Sequence, residues 1–222
     1  LKIWQGLGYY SRAKNLHFTA KYIAQYFKGV FPEEYDDILK LKGVGAYTAA
    51  AIASFSFGLP YAVVDGNVIR LLSRVFGIKV SFVTASGKRT YQKLAQDLLD
   101  KKKPAINNQA IMEFGALQCT ARSPKCGSCP FISVCIAYNT NSIEKFPIKF
   151  KKNKIQNRFL NYLFLQNRNS VILEKRDKGI WKGLYEFPSI EYAQNKSEAA
   201  VISSDEWCSF FKNTRYEIVS VS

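Results

Sequence analysis

The sequence predicts a mainly α-helical domain over residues 1–138, a basic linker over 139–157, and a partial mixed α and β domain over 158–222. Apolar residues recur at helical spacing in the first part, whereas short apolar runs separated by turn residues follow the linker. With 222 residues, 47% of them hydrophobic, the chain is long enough for two ordinary cores.

The helices of the first part are indicated by spacing and by their start and stop residues. Gly77 is expected to end one helix and Pro104 to open another. One helical face is expected to combine Leu16, Ala20, Ile23 and Phe27.

The part after residue 138 changes character. Residues 139–157 are polar and basic, which suits a segment lying along DNA or one that is merely solvated. Beyond them we expect strands at Phe159–Leu165 and Val171–Glu174, a helix near Asp205–Phe211, and a strand from Tyr216.

The charge balance favours a polyanionic partner. Lys and Arg total 32 against 17 acidic residues, a net charge of +15, and nucleic acid is the commonest such partner, although general solubility is the alternative. No apolar run has the length of a membrane span and no signal peptide opens the chain, so we expect no membrane association. Leu1–Trp4 resembles the middle of a helix and Tyr216–Ser222 stops without a turn, so we interpret the chain as a fragment.

Four closely spaced cysteines indicate a metal site. Cys119, Cys126, Cys129 and Cys135 follow the pattern Cys-x6-Cys-x2-Cys-x5-Cys, and their spacing alone suits zinc or an iron–sulfur cluster. Cys208 stands apart and is expected to be a small core residue.

Two short motifs indicate binding and chemistry. Gly43 and Gly45 lie between helical segments, where they permit a tight turn and a phosphate site at the next helix start, or simply connect two helices. Asp65, at the end of the apolar run before Gly66-Asn67-Val68, suits a helix N-cap, the commonest role of such an aspartate.

These motifs together carry a family resemblance. Leu-x-Gly-Val-Gly-x-Tyr-Thr-Ala at 41–49 and Val-Asp-Gly-Asn-Val at 64–68, with Trp4–His17 and the cysteine run, resemble helix-hairpin-helix glycosylases, and among these the MutY family of adenine DNA glycosylases. The resemblance covers most of residues 1–190. It implies a base-excision enzyme that hydrolyses the N-glycosidic bond of adenine opposite 8-oxoguanine or guanine in double-stranded DNA. It also implies a monomer in the bacterial cytoplasm, associated with the nucleoid.

The resemblance assigns roles to individual positions. Asp65 matches the carboxylate that stabilises the oxocarbenium-like sugar, Asn67 and Tyr47 match residues lining the same pocket, and Tyr9 matches the aromatic wedge inserted into the duplex. Endonuclease III relatives carry a Schiff-base lysine where this chain has Tyr47, so we expect a monofunctional enzyme. Ile69 departs from the family, which often has a basic residue there, and this puts a local DNA contact in doubt.

The cysteines match the family's [4Fe–4S] spacing, and the resemblance places Arg122 and Lys125 in a basic loop held against phosphates. His17 fits a structural or phosphate-side role.

The second domain resembles the MutT-like, Nudix-fold module of the family, which inspects 8-oxoguanine. The matching segments are Arg158–Tyr162 and Gly179–Pro188, and the sequence after Gly183 lacks the Arg-Glu-x-x-Glu-Glu helix of a working Nudix hydrolase. We therefore expect a recognition module.

The resemblance also implies a general-acid glutamate preceding the Trp4 motif, which this sequence does not include, so we expect the 222-residue chain by itself to be inactive. Two alternatives stay open: a noncatalytic DNA-binding protein that carries the cluster, and a related glycosylase acting on another base, such as thymine opposite guanine. Asp65 argues against the first and the MutT-like segment against the second.

Overall fold

The computed structural model describes residues 1–149, 157–179, 181–212 and 214–221, which fall into two compact units, residues 1–151 and 152–222. The last lysines of the predicted basic linker, at 151, 152 and 154, and Ile180 of the MutT-like motif lie outside the described residues. Ordered elements continue past residue 138, to a 3-10 turn at Ile143–Lys145 and to the buried Phe146. The predicted domain limits stay predictions.

The first unit is built from α-helices. They are α1 (Tyr10–Tyr26), α2 (Tyr35–Lys40), α3 (Ala46–Phe57), α4 (Gly66–Phe76), α5 (Ala85–Asp97), α6 (Pro104–Leu117) and α7 (Ile136–Asn139), with 3-10 turns at Lys2–Trp4 and Cys126–Ser128. Among the described residues, no helix combines the length and apolar character needed to cross a membrane.

Helix α4 lies at the centre of this unit. Its apolar side buries Val68, Ile69 and Leu72 against residues of α5, including the fully buried Tyr91. Ile69 is thus a core residue, which gives a physical reason for an apolar side chain at that position. Burial of a side chain of this size contributes roughly 1.5–3 kcal/mol.

A second cluster joins α2 to α3 through Ile38, Ala49 and Ala53. The alanines of α3 let the two short helices approach closely, so the chain around Gly43 is held between them.

The predicted helix boundaries at Gly77 and Pro104 are confirmed. Gly77 follows α4 in the left-handed conformation with φ +62°, and a Cβ there would lie 2.7 Å from Cγ2 of Ile136, so the position requires glycine. Pro104 is the first residue of α6.

The predicted apolar face of α1 is only partly correct. Ile23 is buried, but Leu16 is 60% exposed and Ala20 is exposed, whereas Thr19 is buried. The reason is a polar contact: the Thr19 hydroxyl donates to the carbonyl oxygen of Lys42 over 2.9 Å, and this turns the Thr19 side of α1 toward the hairpin.

The second unit mixes three two-stranded antiparallel sheets with two short helices. Strand β1 (Phe159–Tyr162) pairs with β6 (Ser189–Tyr192), β2 (Gln166–Asn167) with β3 (Ser170–Val171), and β4 (Glu174–Lys175) with β5 (Tyr185–Glu186), followed by α8 (Glu198–Ile202) and α9 (Asp205–Phe210). Its core combines Leu163, Ile190, Tyr192, Val201 and Trp207.

Four predictions for this unit are wrong. The predicted strand Val171–Glu174 is divided, because β3 ends at Val171 and β4, which belongs to another sheet, begins at Glu174. The predicted strand 159–165 ends at Tyr162, and the segment from Tyr216 forms no strand among the described residues. Tyr216 instead packs on Phe211 and accepts a hydrogen bond from Nε1 of Trp207 over 3.0 Å. Cys208 is exposed because α9 turns Trp207 inward and the next side chain outward.

Candidate functional site

The hairpin between α2 and α3 presents backbone amides at a helix start. The amide of Val44 closes the turn on the Leu41 carbonyl over 3.0 Å, and α3 begins at Ala46 with Gly45 as an N-cap that offers no side chain. The first amides of α3 are therefore not capped by a side chain of Gly45, which suits an incoming anion such as phosphate.

Gly43 is required in this turn for two reasons. Its φ of +87° disfavours residues with a side chain, and a Cβ would lie 2.6 Å from Cβ of Asn15 on α1. Gly45 differs, because its φ is −99° and a Cβ there meets no atom within 4 Å. The first glycine thus serves the fold, while the second leaves open space in front of α3.

Two tyrosines predicted to act in the site are exposed. Tyr47 lies in the first turn of α3 with 47% of its surface exposed. Tyr9 precedes α1 in the left-handed conformation, φ +46°, and is 84% exposed. A bulky residue with that backbone conformation is uncommon, and here it displays an aromatic ring to solvent. Among the described residues, neither tyrosine hydrogen-bonds to Asp65 or Asn67.

Asp65 and Asn67 are brought together at the start of α4. Asp65 is the N-cap: its Oδ1 accepts from the backbone amide of Val68 over 2.8 Å, and its Oδ2 accepts from Nδ2 of Asn67 over 2.8 Å. The N-cap interpretation is therefore confirmed. It does not compete with a catalytic role, because the partly exposed carboxylate is held in one orientation by both contacts.

Arg70, which the sequence did not single out, extends this arrangement. Its Nη2 donates to Oδ1 of Asn67 over 2.8 Å and to the carbonyl of Gly115, and its Nε donates to the carbonyl of Cys119 over 2.7 Å. Hydrogen bonds thus run from the Asp65 carboxylate to the first cysteine of the metal centre. The position of Arg70, one helical turn after Asn67, was the signal in the sequence that could have identified it.

The extended segment leading to Asp65 is held by side-chain amides, also missed from the sequence. The buried Asn108 of α6 accepts from the Val63 amide over 3.0 Å and donates to the Tyr61 carbonyl over 2.9 Å. Gln96 of α5 accepts from the Ala62 amide over 2.9 Å. The side chains of Asn108 and Gln96 thus pair with the backbone polar groups of residues 61–63, as a neighbouring strand would.

The four predicted metal ligands line one cavity. Cys119, Cys126, Cys129 and Cys135 share its wall with apolar residues including Leu71 and Ile132, and its empty space, counting the open mouth, is about 380 Å³. The thiol of Cys126 has a raised pKa because of burial and then the neighbouring thiols Cys119, Cys135 and Cys129, while Arg74 acts in the opposite direction. Four thiolates in this cavity therefore require positive charge from metal.

The donor set fits an iron–sulfur cluster better than a single ion. Thiolates around one zinc would each lie about 2.3 Å from it, crowded together. Four cysteines around one cavity with about 380 Å³ of empty space leave room for a polynuclear cluster.

The two basic residues of the cluster loop lie at its surface. Arg122 and Lys125 are both exposed, and their backbone carbonyls accept from the Thr120 hydroxyl and the Gln118 amide. The loop backbone is thus pinned while both cationic side chains face outward.

Comparison with known proteins agrees with these features. Residues 1–103 match the family described as HhH-GPD superfamily base excision DNA repair protein, and residues 119–135 match the iron-sulfur binding domain of endonuclease III. An adenine DNA glycosylase of Buchnera aphidicola subsp. Baizongia pistaciae is 41% identical over 196 residues, covering 85% of this chain and 54% of that protein. The chain belongs to the MutY family. Its cysteine cavity accordingly holds a [4Fe–4S] cluster.

Other relatives give the same picture of this MutY-family chain. An adenine DNA glycosylase of Arabidopsis thaliana is 38% identical over 204 residues, covering 85% of the chain and 32% of that protein. The chain spans about half the length of the Buchnera relatives it matches, 54% to 57%.

Solved structures confirm the helical glycosylase fold of the first unit. A thermostable thymine-DNA glycosylase has a TM-score of 0.54 and 32% identity, covering 59% of each chain. A non-covalent endonuclease III–DNA complex has a TM-score of 0.54 and 28% identity, covering 62% of this chain and 63% of that one.

Proposed function

We propose that the protein containing this chain is a base-excision repair glycosylase that hydrolyses the N-glycosidic bond of adenine mispaired with 8-oxoguanine or guanine. The observation that carries the proposal is the Asp65 carboxylate, fixed at the N-terminus of α4 by Val68 and Asn67. The relatives at 41% and 38% identity are adenine DNA glycosylases, whereas the similar thymine-DNA glycosylase is 32% identical.

Asp65 acts electrostatically in this proposal. As adenine leaves, positive charge develops on the sugar, and a carboxylate already oriented for that charge stabilises the transition state without reorganising. Asn67 holds the carboxylate through Oδ2 and Arg70 holds Asn67, so the charge is positioned before substrate binds. Tyr47, in the first turn of α3, is assigned to the wall of the same pocket.

The enzyme is monofunctional in this proposal. Strand cleavage through a Schiff base requires an amine, and a phenol at Tyr47 cannot form one. Water is then the species that captures the sugar, and the product is an abasic site.

The same unit is proposed to bind double-stranded DNA. The amides following Gly43 and Gly45 contact a phosphate, Arg122 and Lys125 contact further phosphates, and the exposed Tyr9 ring enters the base stack. One chain suffices for these contacts, which supports a monomer, and a bacterial protein of this kind would lie on the nucleoid.

The second unit is proposed to be a MutT-like module that recognises 8-oxoguanine and has no hydrolase activity. In support of this, Glu191 is already paired: it accepts hydrogen bonds from Nε and Nη2 of Arg158, and this contact lowers its pKa. Glu198 lies at the exposed start of α8.

The deciding experiment is a single-turnover assay of the complete gene product on duplexes carrying A:8-oxoguanine, A:G or T:G. We expect adenine release from the first two, alkali-dependent strand breakage, and loss of both on D65N. Release of thymine would identify the related glycosylase instead. DNA binding without base release would identify a noncatalytic cluster protein.

A further inference from the structure

Arg74 is a buried cation in the wall of the cysteine cavity. It lies in the last turn of α4 and only 4% of its surface is exposed. Its Nη1 donates to the Thr120 carbonyl over 2.7 Å and lies 3.4 Å from Sγ of Cys119, while Nη2 donates to the Ala121 carbonyl over 3.2 Å.

Within the part of the chain that the structure describes, this guanidinium has no acidic partner. No ion pair of the described residues includes Arg74, and its Nε has no hydrogen-bond partner. A buried charge is costly unless an opposite charge compensates it, and two carbonyl dipoles compensate it only in part.

The cavity supplies the missing charge. Four thiolates carry more negative charge than a [4Fe–4S] core neutralises, so the ligated cluster is a buried anion beside a buried cation. We propose that Arg74 is the internal counterion of the iron–sulfur cluster, acting through its contact with the Cys119 sulfur. The cluster and the guanidinium each make the burial of the other favourable.

Neighbouring cations cannot take this role. Arg70 reaches the carbonyl oxygen of Cys119 and donates elsewhere to Gly115 and Asn67. Lys125 borders the cavity but is exposed, where water screens its charge. Arg74 is the cation in this wall that is both buried and within hydrogen-bonding reach of a ligand sulfur.

The reduction potential of the cluster tests the proposal without any assay of base excision. One-electron reduction makes the cluster more negative, so a nearby positive charge favours it. In R74Q, which keeps an amide donor but loses the charge, we expect the oxidised-to-reduced ratio at the wild-type midpoint to rise about tenfold, equivalent to 59 mV for one electron. The reduction potential of R74K should stay closer to that of wild type. R89Q, which replaces an exposed arginine of α5, should leave the potential unchanged. An unchanged potential in R74Q would overturn the proposal.

Cluster removal provides a second measurement, which tests the proposal even when R74Q retains little iron. Without the cluster, wild type buries an uncompensated charge that R74Q does not. Thermal unfolding should therefore show a smaller loss of stability on cluster removal in R74Q than in wild type, with apo R74Q at least as stable as the apo wild-type chain. If apo R74Q is the less stable of the two, Arg74 serves only to clamp the Thr120 and Ala121 carbonyls, and the counterion role is refuted.

Discussion

The guanidinium of Arg70 donates from Nε to the backbone carbonyl of Cys119 over 2.7 Å, which ties helix α4, capped by Asp65, to the first ligand of the iron–sulfur cluster. The same side chain donates from Nη2 to Asn67, whose amide holds the Asp65 carboxylate. Helix α6 approaches α4 so closely at this point that a Cβ added to Gly115 would lie 2.7 Å from the Asn67 carbonyl oxygen. The position of the carboxylate therefore depends on the cluster loop as well as on α4.

Arg70→Met should slow base release in the complete gene product more than it weakens DNA binding. Asn67 loses its partner and Asp65 loses its fixed orientation, and changes to such supporting groups typically cost about 10–100-fold in activity. Single-turnover rates and DNA affinity, measured side by side, separate the two effects. R89Q removes the same charge from an exposed site and is the matched control. Equal losses in rate and affinity would point to a DNA contact instead.

Substitutions of Asp65 should separate its capping role from its catalytic role. Asn is as good an N-cap as Asp, so D65N should unfold in urea close to wild type, whereas D65A should lose about 0.5–2 kcal/mol. Both substitutions should abolish base release by the complete gene product, since neither residue provides a negative charge beside the sugar. Substantial release by D65N would show that the carboxylate is needed only as a cap.

Asn108→Leu should destabilise the first unit strongly. The change leaves the Val63 amide and the Tyr61 carbonyl buried without their partner, at about 1–3 kcal/mol for each unsatisfied group. Gln109→Ala, on the next residue of α6 but exposed, should change the free energy of unfolding by no more than about 0.5 kcal/mol. Comparable losses in the two variants would refute the role assigned to Asn108.

The role of Cys119 could be predicted from the sequence, whereas that of Asn108 could not. The cysteines, hairpin glycines and Asp65 fall within short motifs, so their chemistry is visible in residue type and spacing. Arg70, Arg74 and Asn108 act across 45 or more positions of the chain, and only the packing of α4 against α6 and the cluster loop brings their partners near. A buried amide or guanidinium in a helix looks in sequence like an ordinary surface residue.

The second unit was harder to predict for a related reason. Its strands have only two to four residues, too short for an alternating pattern to define their ends. Pairing of β1 with β6 joins residues 159–162 to residues 189–192, a partnership set by tertiary contacts. The aromatic contacts of Tyr216 with Trp207 and Phe211 likewise outweigh its strand preference.

The two hairpin glycines should respond differently to alanine, and the difference tests phosphate binding. Gly43→Ala places a Cβ at φ +87° and against Asn15, so it should lower the free energy of unfolding by more than about 1 kcal/mol. Gly45→Ala meets no atom within 4 Å and has an ordinary φ, so the fold should tolerate it. Urea unfolding of the 222-residue chain measures both.

DNA affinity should nevertheless fall in Gly45→Ala, because the added methyl stands in front of the α3 amides where the phosphate approaches. The variant thus separates binding from folding, which Gly43→Ala cannot do. Its affinity for duplex DNA should drop while the log–log salt slope changes little, because the lost phosphate contact is made by uncharged backbone amides and not by Lys or Arg. A folded Gly45→Ala chain that binds DNA as tightly as wild type would leave the turn as a simple connection between α2 and α3.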